Sequence, residues 1–282
     1  MYFCFIFKAT LIGNTSIVMN LIFYKKIFQQ NRLKQYEEIL TLALKHGYIV
    51  TSLIDWYENY KDKDVKVLIL RHDVDYDYQG AYKMYMLEKS MGVKSTYYFR
   101  WLSINKPIIG KMKVDGFEVS LHYETLATYA KENKIFNKEA ITNDILKICY
   151  NKLEEEIKYF ENSFGKIKTI CSHGDKINRL IKVSNYKIIN YKKLEDIGIQ
   201  FNTYNPEILK AFDAYISDSS IYNNFAWKHD GNPNNALLDG KKNICLLTHP
   251  IHWNQSFIKN IRLLFTVYID NMFYLKKRVN PL

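Results

Sequence analysis

"LILRHDVDYD", residues 68–77, decides how the rest of the chain is read. An apolar run from Val67 to Leu70 gives way at once to Arg71, His72, Asp73, Asp75 and Asp77. A short run that is apolar throughout suits a strand buried on both faces of a parallel sheet. With the strand ending near Leu70, the polar cluster stands on the rim beyond it. Asp73 and Asp75 are two positions apart, so in extended chain they point to the same side. Two close carboxylates repel unless a cation or a proton lies between them. One carboxylate on a metal and the other as a base would satisfy both. A solvated surface turn is the plain alternative for such a pair standing alone.

The pair does not stand alone. Four later apolar runs also end in groups that bind metals or move protons: "LHYE" at 121–124, "SHGD" at 172–175, "SDSS" at 217–220 and "THPIHW" at 248–253. Between the runs lie helix-period segments. The clearest spans 138–165, with Ile141, Ile145, Cys149, Leu153, Ile157 and Phe160 in steps of three and four. Another, 32–50, is closed by His46-Gly47, and a third, 78–93, stops at Gly92. Strands alternating with helices imply a parallel sheet, open or closed into a barrel. In such barrels the site lies at the C-terminal ends of the strands.

Each candidate has a bland reading beside the functional one. His122 is a ligand or a satisfied strand histidine; Glu124 adds a second oxygen or orients a ligand. His173 repeats the arrangement, with Gly174 allowing close backbone approach. His249 ends an apolar strand before Pro250 and suits acid–base work. Trp253 stacks on a sugar face or simply packs. His46 is expected to cap a helix, and His229 is ambiguous. Asp with one or two His makes an open nitrogen–oxygen site for a divalent ion, with zinc the default. Spacing alone therefore reaches metal-assisted hydrolysis of a carbonyl-type bond.

Composition bounds the alternatives. With 282 residues, 48% hydrophobic and 15% aromatic, the chain can bury a large core. Its net charge of +11 comes from lysines spread along the chain, so no nucleic-acid patch is expected and no nucleic-acid partner. Cys4, Cys149, Cys171 and Cys245 form no CxxC pair; Cys171 and Cys245 read as small core residues, and a reducing, cytoplasmic setting is expected. Residues 1–30 form an apolar extension broken by Lys8, Asn14 and Asn20, short of an unbroken membrane span but able to touch a membrane surface. Residues 31–282 are expected to form one domain.

The motifs "LILRHDVDYD", "FEVSLHYETL", "ICSHGD", "AYISDSS" and "LLTHPIHW", in that order, resemble the polysaccharide deacetylase family, the family 4 carbohydrate esterases. The resemblance covers roughly residues 35–255 and is closest to a divergent branch of bacterial surface-polysaccharide loci. It implies a distorted (β/α)7 barrel, a divalent metal and removal of an N-acetyl group from a sugar or oligosaccharide; the net charge of +11 would suit a nucleotide- or lipid-linked one. It further implies Asp73 as base, Asp75 and His122 as metal ligands and His249 as general acid, with Arg71 orienting Asp73. Arg71, His72, Glu124 and Trp253 are expected around the metal or against the substrate. Two departures stand out: Val74 separates aspartates that are adjacent in many relatives, and Leu126 occupies the place of a second histidine. The third ligand must then be His173 or, failing that, Glu124. A barrel that binds carbohydrate without catalysis, or a metal hydrolase for another C–N, ester or phosphoester bond, is the competing expectation.

Overall fold

The computed structural model describes residues 25–191, 193–220, 223–266 and 269. Residues 1–24 of the expected extension lie outside them. Residues 25–30 belong to the fold: Asn260 donates to the backbone carbonyls of Ile27 and Gln29 at 2.9 Å, and Gln29 is buried.

Nine strands form one sheet: β1 Ile49–Thr51, β2 Val67–Val74, β3 Thr96–Phe99, β4 Glu118–Tyr123, β5 Thr169–Ser172, β6 Phe201–Asn202, β7 Ala214–Ser217, β8 Lys228–His229 and β9 Asn243–Thr248. Their order is β6-β5-β4-β3-β2-β9-β7-β8. All pairings are parallel except β7 with β8. β9 pairs with residues 67–72 of β2, while β1 and β3 take residues 67–69 and 71–74. β2 is thus the central strand, and all eight of its residues are buried. That burial on both faces is why its sequence opens as an unbroken apolar run.

The strand does not end at Leu70 as expected; it runs on to Val74, so the polar motif is itself strand. A period of two then sorts the motif. Val67 and Ile69 face the inside, where they join Phe201 and Ile208. Leu68 and Leu70 face the outside, packed with Tyr36, Ile216 and Leu246. Arg71 and Asp73 continue the inner row, and His72 and Val74 the outer one.

The sheet is curled into a distorted half-barrel. At about 4.8 Å per strand, β5 would lie about 14 Å from β2 in a flat sheet. Instead Arg71 Nη2 reaches Cys171 Sγ at 2.9 Å, and its guanidinium lies 4.6 Å from the ring of Tyr204, just past β6. Among the described residues β6 pairs with β5 and β8 with β7, so the two edges do not close on each other. Helices cover the outer surface. Leu33–Lys45 ends at exposed His46 with Gly47 at φ +77°, where a side chain would be strained. The long helix is Asn143–Phe164, capped by the Thr142 side chain; it starts five residues later than its periodicity suggests, because that cap captures the Ile145 amide. Its Cys149, Leu153, Ile157 and Phe160 are buried as expected.

Candidate metal centre

All five polar clusters sit at the C-terminal ends of strands: β2, β4, β5, β7 and β9. Inward positions on the curled sheet bring their side chains to one mouth.

Asp75, His122 and His173 come together there. Asp75 Oδ1 lies 3.5 Å from His122 Nε2 and 3.4 Å from His173 Nε2. The imidazoles meet edge-on, 5.1 Å between centroids. All three ligand atoms lie within 4.8 Å of one another. His122 Nδ1 is 3.1 Å from the Cys171 carbonyl, which fixes Nδ1 as the protonated nitrogen and leaves the Nε2 lone pair aimed at Asp75. Asp75 Oδ1 is buried and accepts no hydrogen bond. A buried carboxylate oxygen without a donor, faced by two imidazole nitrogens, is costly unless a cation sits among them. The donor set of two nitrogens and one oxygen fits a borderline divalent ion with room for water. Burial alone would raise the Asp75 pKa; the neighbouring imidazoles of His173, His122 and His249 outweigh it and hold the carboxyl well below the usual range.

Glu124 stands behind this trio. Arg100 Nη2 binds both its oxygens, at 3.0 and 2.7 Å, and Glu124 Oε2 lies 3.4 Å from His173 Nδ1. Burial works against ionisation, but the nearby His173 imidazole and Arg100 pull the Glu124 pKa down to about 2. Both Glu124 oxygens are engaged by Arg100, with the carboxylate behind the His173 ring, and of the two expected third donors His173 is the one facing Asp75. Leu126 is fully buried in the helix Thr125–Glu132 and belongs to the core.

Asp73 lies beside the trio, Oδ2 3.7 Å from His122 Nε2. Arg71 grips it with two bonds, Nε to Oδ1 at 3.0 Å and Nη2 to Oδ2 at 2.8 Å. Burial opposes its charge, but Arg71 first and His122 next keep its pKa below the usual value. Cys171 Sγ touches the same group, 3.7 Å from Asp73 Oδ2. It is buried, as its apolar strand suggested, but it faces the mouth because it shares the inward parity of Thr169 and His173.

His249 closes the mouth from β9. Its Nδ1 is 2.6 Å from Asp218 Oδ1, and its backbone amide donates to Asp218 Oδ2 at 2.9 Å. Burial lowers its basicity, yet the Asp218 charge and hydrogen bond push its pKa up to about 9. Trp253 Nε1 donates to Asp218 Oδ2 at 2.8 Å, and the indole is fully buried against Tyr36 and Trp227. Trp253 therefore packs and braces Asp218; it offers no face to a sugar. His252, next to His249, is pushed down to about 4, chiefly by burial.

His72 is the clearest correction. On the outer row, its Nε2 is 2.8 Å from Glu88 Oε1 and its Nδ1 is 2.6 Å from Thr248 Oγ1. Glu88 also accepts from Tyr36, Ser95 and Tyr97 at 2.6, 2.6 and 2.8 Å. This buried polar network ties β2, β3 and β9 to two helices and lies behind the sheet, away from the mouth. His229 pairs with Ile216 across β7–β8 and lies tilted against Tyr215, 5.0 Å between centroids.

Asp218, Arg100, Cys171 and Tyr204 escaped the sequence reading. Asp218 alone carried a signal, since "SDSS" ends a strand as the other motifs do.

No family model matches the chain, and no curated protein matches it. Solved structures do. A family 4 carbohydrate esterase from Bacillus anthracis shares 14% identity, covering 84% of this chain and 85% of that one, with a TM-score of 0.39. PdaA of Bacillus subtilis, also a family 4 carbohydrate esterase, shares 14%, covering 85% and 90%, at 0.37. A family 4 pseudoenzyme from Bacillus anthracis shares 13% at 0.35, and the chain spans 62% of its length. Such values leave the functional reading to the side chains themselves.

Proposed function

We propose that this chain is a metal-dependent hydrolase that removes an N-acetyl group from a sugar, in the assembly of a surface polysaccharide. One observation carries the reading: a buried Asp75 oxygen without a donor, between two imidazole nitrogens at 3.4 and 3.5 Å, beside a second ionised carboxylate. Asp75, His122 and His173 would hold the ion, zinc by default. When bound, the ion polarises the acetamide carbonyl and lowers the pKa of a water.

The chain's own groups supply the rest. Asp73, kept ionised by Arg71, takes a proton from the attacking water. Its two hydrogen bonds from Arg71 fix the carboxylate plane, so little reorganisation is needed. Water oxygen bonds to the carbonyl carbon. The C–N bond then breaks, and His249 gives its proton to the leaving nitrogen. Acetate and a free amine result. His249 is suited to that donation because Asp218 keeps it protonated at neutral pH. The substrate is an N-acetylated sugar or oligosaccharide, free or carried on a nucleotide or lipid.

Metal content and acetate release test the reading together. Purified protein loaded with zinc, nickel or cobalt should bind about one ion per chain. Asp73→Asn should keep the ion and lose acetate release by about a hundredfold or more. A chain that takes up no divalent ion, or an Asp73→Asn variant as active as the wild type, sinks it.

A further inference from the structure

The helix over 257–266 turns Asn260, Leu263 and Leu264 towards the fold, yet it leaves a second apolar row outside. Asn260 is buried and bonds the backbone of residues 27 and 29, whereas Ile258, Ile261 and Phe265 are 65%, 42% and 65% exposed. At about 100° per residue these three fall within roughly 60° of the helix circumference. Phe257, Phe28 and Ile269 extend the apolar surface at 53%, 65% and 45% exposure, with the Phe28 and Phe257 rings 5.7 Å apart. A globular protein turns such a stripe inward unless something covers it.

Cations border the stripe. Arg262 and Lys83 are exposed. With Lys259, Tyr82, Ser256 and Ile258 they line a cavity of about 630 Å³. Lys259 is already paired with Asp77 at 2.6 Å, leaving Arg262 and Lys83 as excess positive charge. Lys25 and Lys26 stand where the apolar residues 1–24, which carry Lys8 as their one charge, join the fold. Lys276, Lys277 and Arg278 follow the helix in sequence. Apolar side chains rimmed by lysine and arginine are the composition of a helix lying in a lipid interface, with cations at headgroup phosphates. The location relates the stripe to the mouth: Gln29 Nε2 donates to the His252 carbonyl at 3.2 Å, and the Arg32 amide to the Trp253 carbonyl at 2.7 Å.

We infer that this face docks on an anionic lipid surface, with Ile258, Ile261 and Phe265 entering the acyl boundary and Arg262 and Lys83 meeting phosphate headgroups. The mouth beside it then opens close to the bilayer. Among the described residues no helix is long and apolar enough to cross a membrane.

Vesicle sedimentation of the full chain tests this without reference to hydrolysis. Vesicles of phosphatidylcholine with about one-third phosphatidylglycerol should pellet the protein, and vesicles of phosphatidylcholine alone should do so about tenfold less well. Ile258→Ser/Ile261→Ser/Phe265→Ser should weaken pelleting by about tenfold or more. Arg262→Glu/Lys83→Glu, at two exposed positions, should abolish the preference for the anionic vesicles. Divalent-ion binding should be unchanged in both variants, showing an intact mouth. Equal pelleting by the triple serine variant would put the contact elsewhere and overturn the inference. So would absence of pelleting by the wild type, with the serine variant lowering the unfolding midpoint; that outcome means the chain's own residues 1–24 cover the stripe.

Discussion

Asp218→Asn should uncouple His249 from its proton while leaving its position almost unchanged. Asparagine keeps the shape of the side chain but removes the charge that faces Nδ1 at 2.6 Å. A His249 pKa raised from 6.5 to about 9 corresponds to about 3 kcal/mol, at roughly 1.4 kcal/mol for each pH unit. Burial pushes the other way, and only the weaker charges of Asp75 and Asp73 would remain to oppose it, so without Asp218 the imidazole should titrate well below the wild-type ring. The folded wild type holds this proton more tightly than the unfolded chain does. Its contribution to stability is therefore whole below pH 6.5 and disappears as pH rises through about 9. Two measurements check this: NMR titration of the His249 ring, and urea unfolding at intervals between pH 6 and about pH 10. In Asp218→Asn the ring should titrate at least about two pH units lower, and the wild type's decline in stability across that window should flatten. The alkaline limb of the acetate-release profile should move down with the ring. A variant ring still titrating near the wild-type value would refute the argument, because its basicity would then come from Asp75 and Asp73 and not from Asp218.

Three further outcomes follow from the geometry. Asp75→Ala, His122→Ala and His173→Ala should each weaken divalent-ion binding by several orders of magnitude in calorimetric titration, while Glu124→Ala, which removes only the group orienting His173, should cost about ten- to a hundredfold. In His72→Leu the buried Glu88 carboxylate and the Thr248 hydroxyl lose a hydrogen-bonding partner, so stability in urea should fall by about 1–3 kcal/mol with ion binding unchanged. His252, whose folded pKa near 4 lies below its ordinary 6.5, should make the wild type lose stability as pH falls from 6.5 towards 4, and His252→Asn should lessen that loss in thermal unfolding.

Much of the centre was legible because a strand has only two sides. Asp73, Asp75, His122, His173 and His249 lie at the C-terminal ends of four strands, and the apolar runs before them mark those strands. His72 was misread because the polar motif was taken to begin after the strand. Parity counted from Val67 would have sent it outward with Leu68 and Leu70. Trp253 was misread for a different reason: burial of an indole depends on what surrounds it, here Tyr36, Trp227 and Arg32 from distant parts of the chain. Cys171 and Tyr204 reach Arg71 only because the sheet curls, and no local pattern encodes curvature. Asp218 sits among serines in a motif that named no residue, and its role depends on its distance to His249, thirty-one positions on.

The parity of β2 has a consequence for how this centre can change. One strand carries two unrelated tasks on alternate residues: outward, the Glu88 network that welds the wall; inward, the Arg71–Asp73 pair. Insertion or deletion of one residue between Val67 and Arg71 would exchange the two sets, sending guanidinium and carboxylate into oil and leucines into the opening. Point substitution can therefore retune the chemistry here, whereas any shift in spacing dismantles wall and opening in the same event.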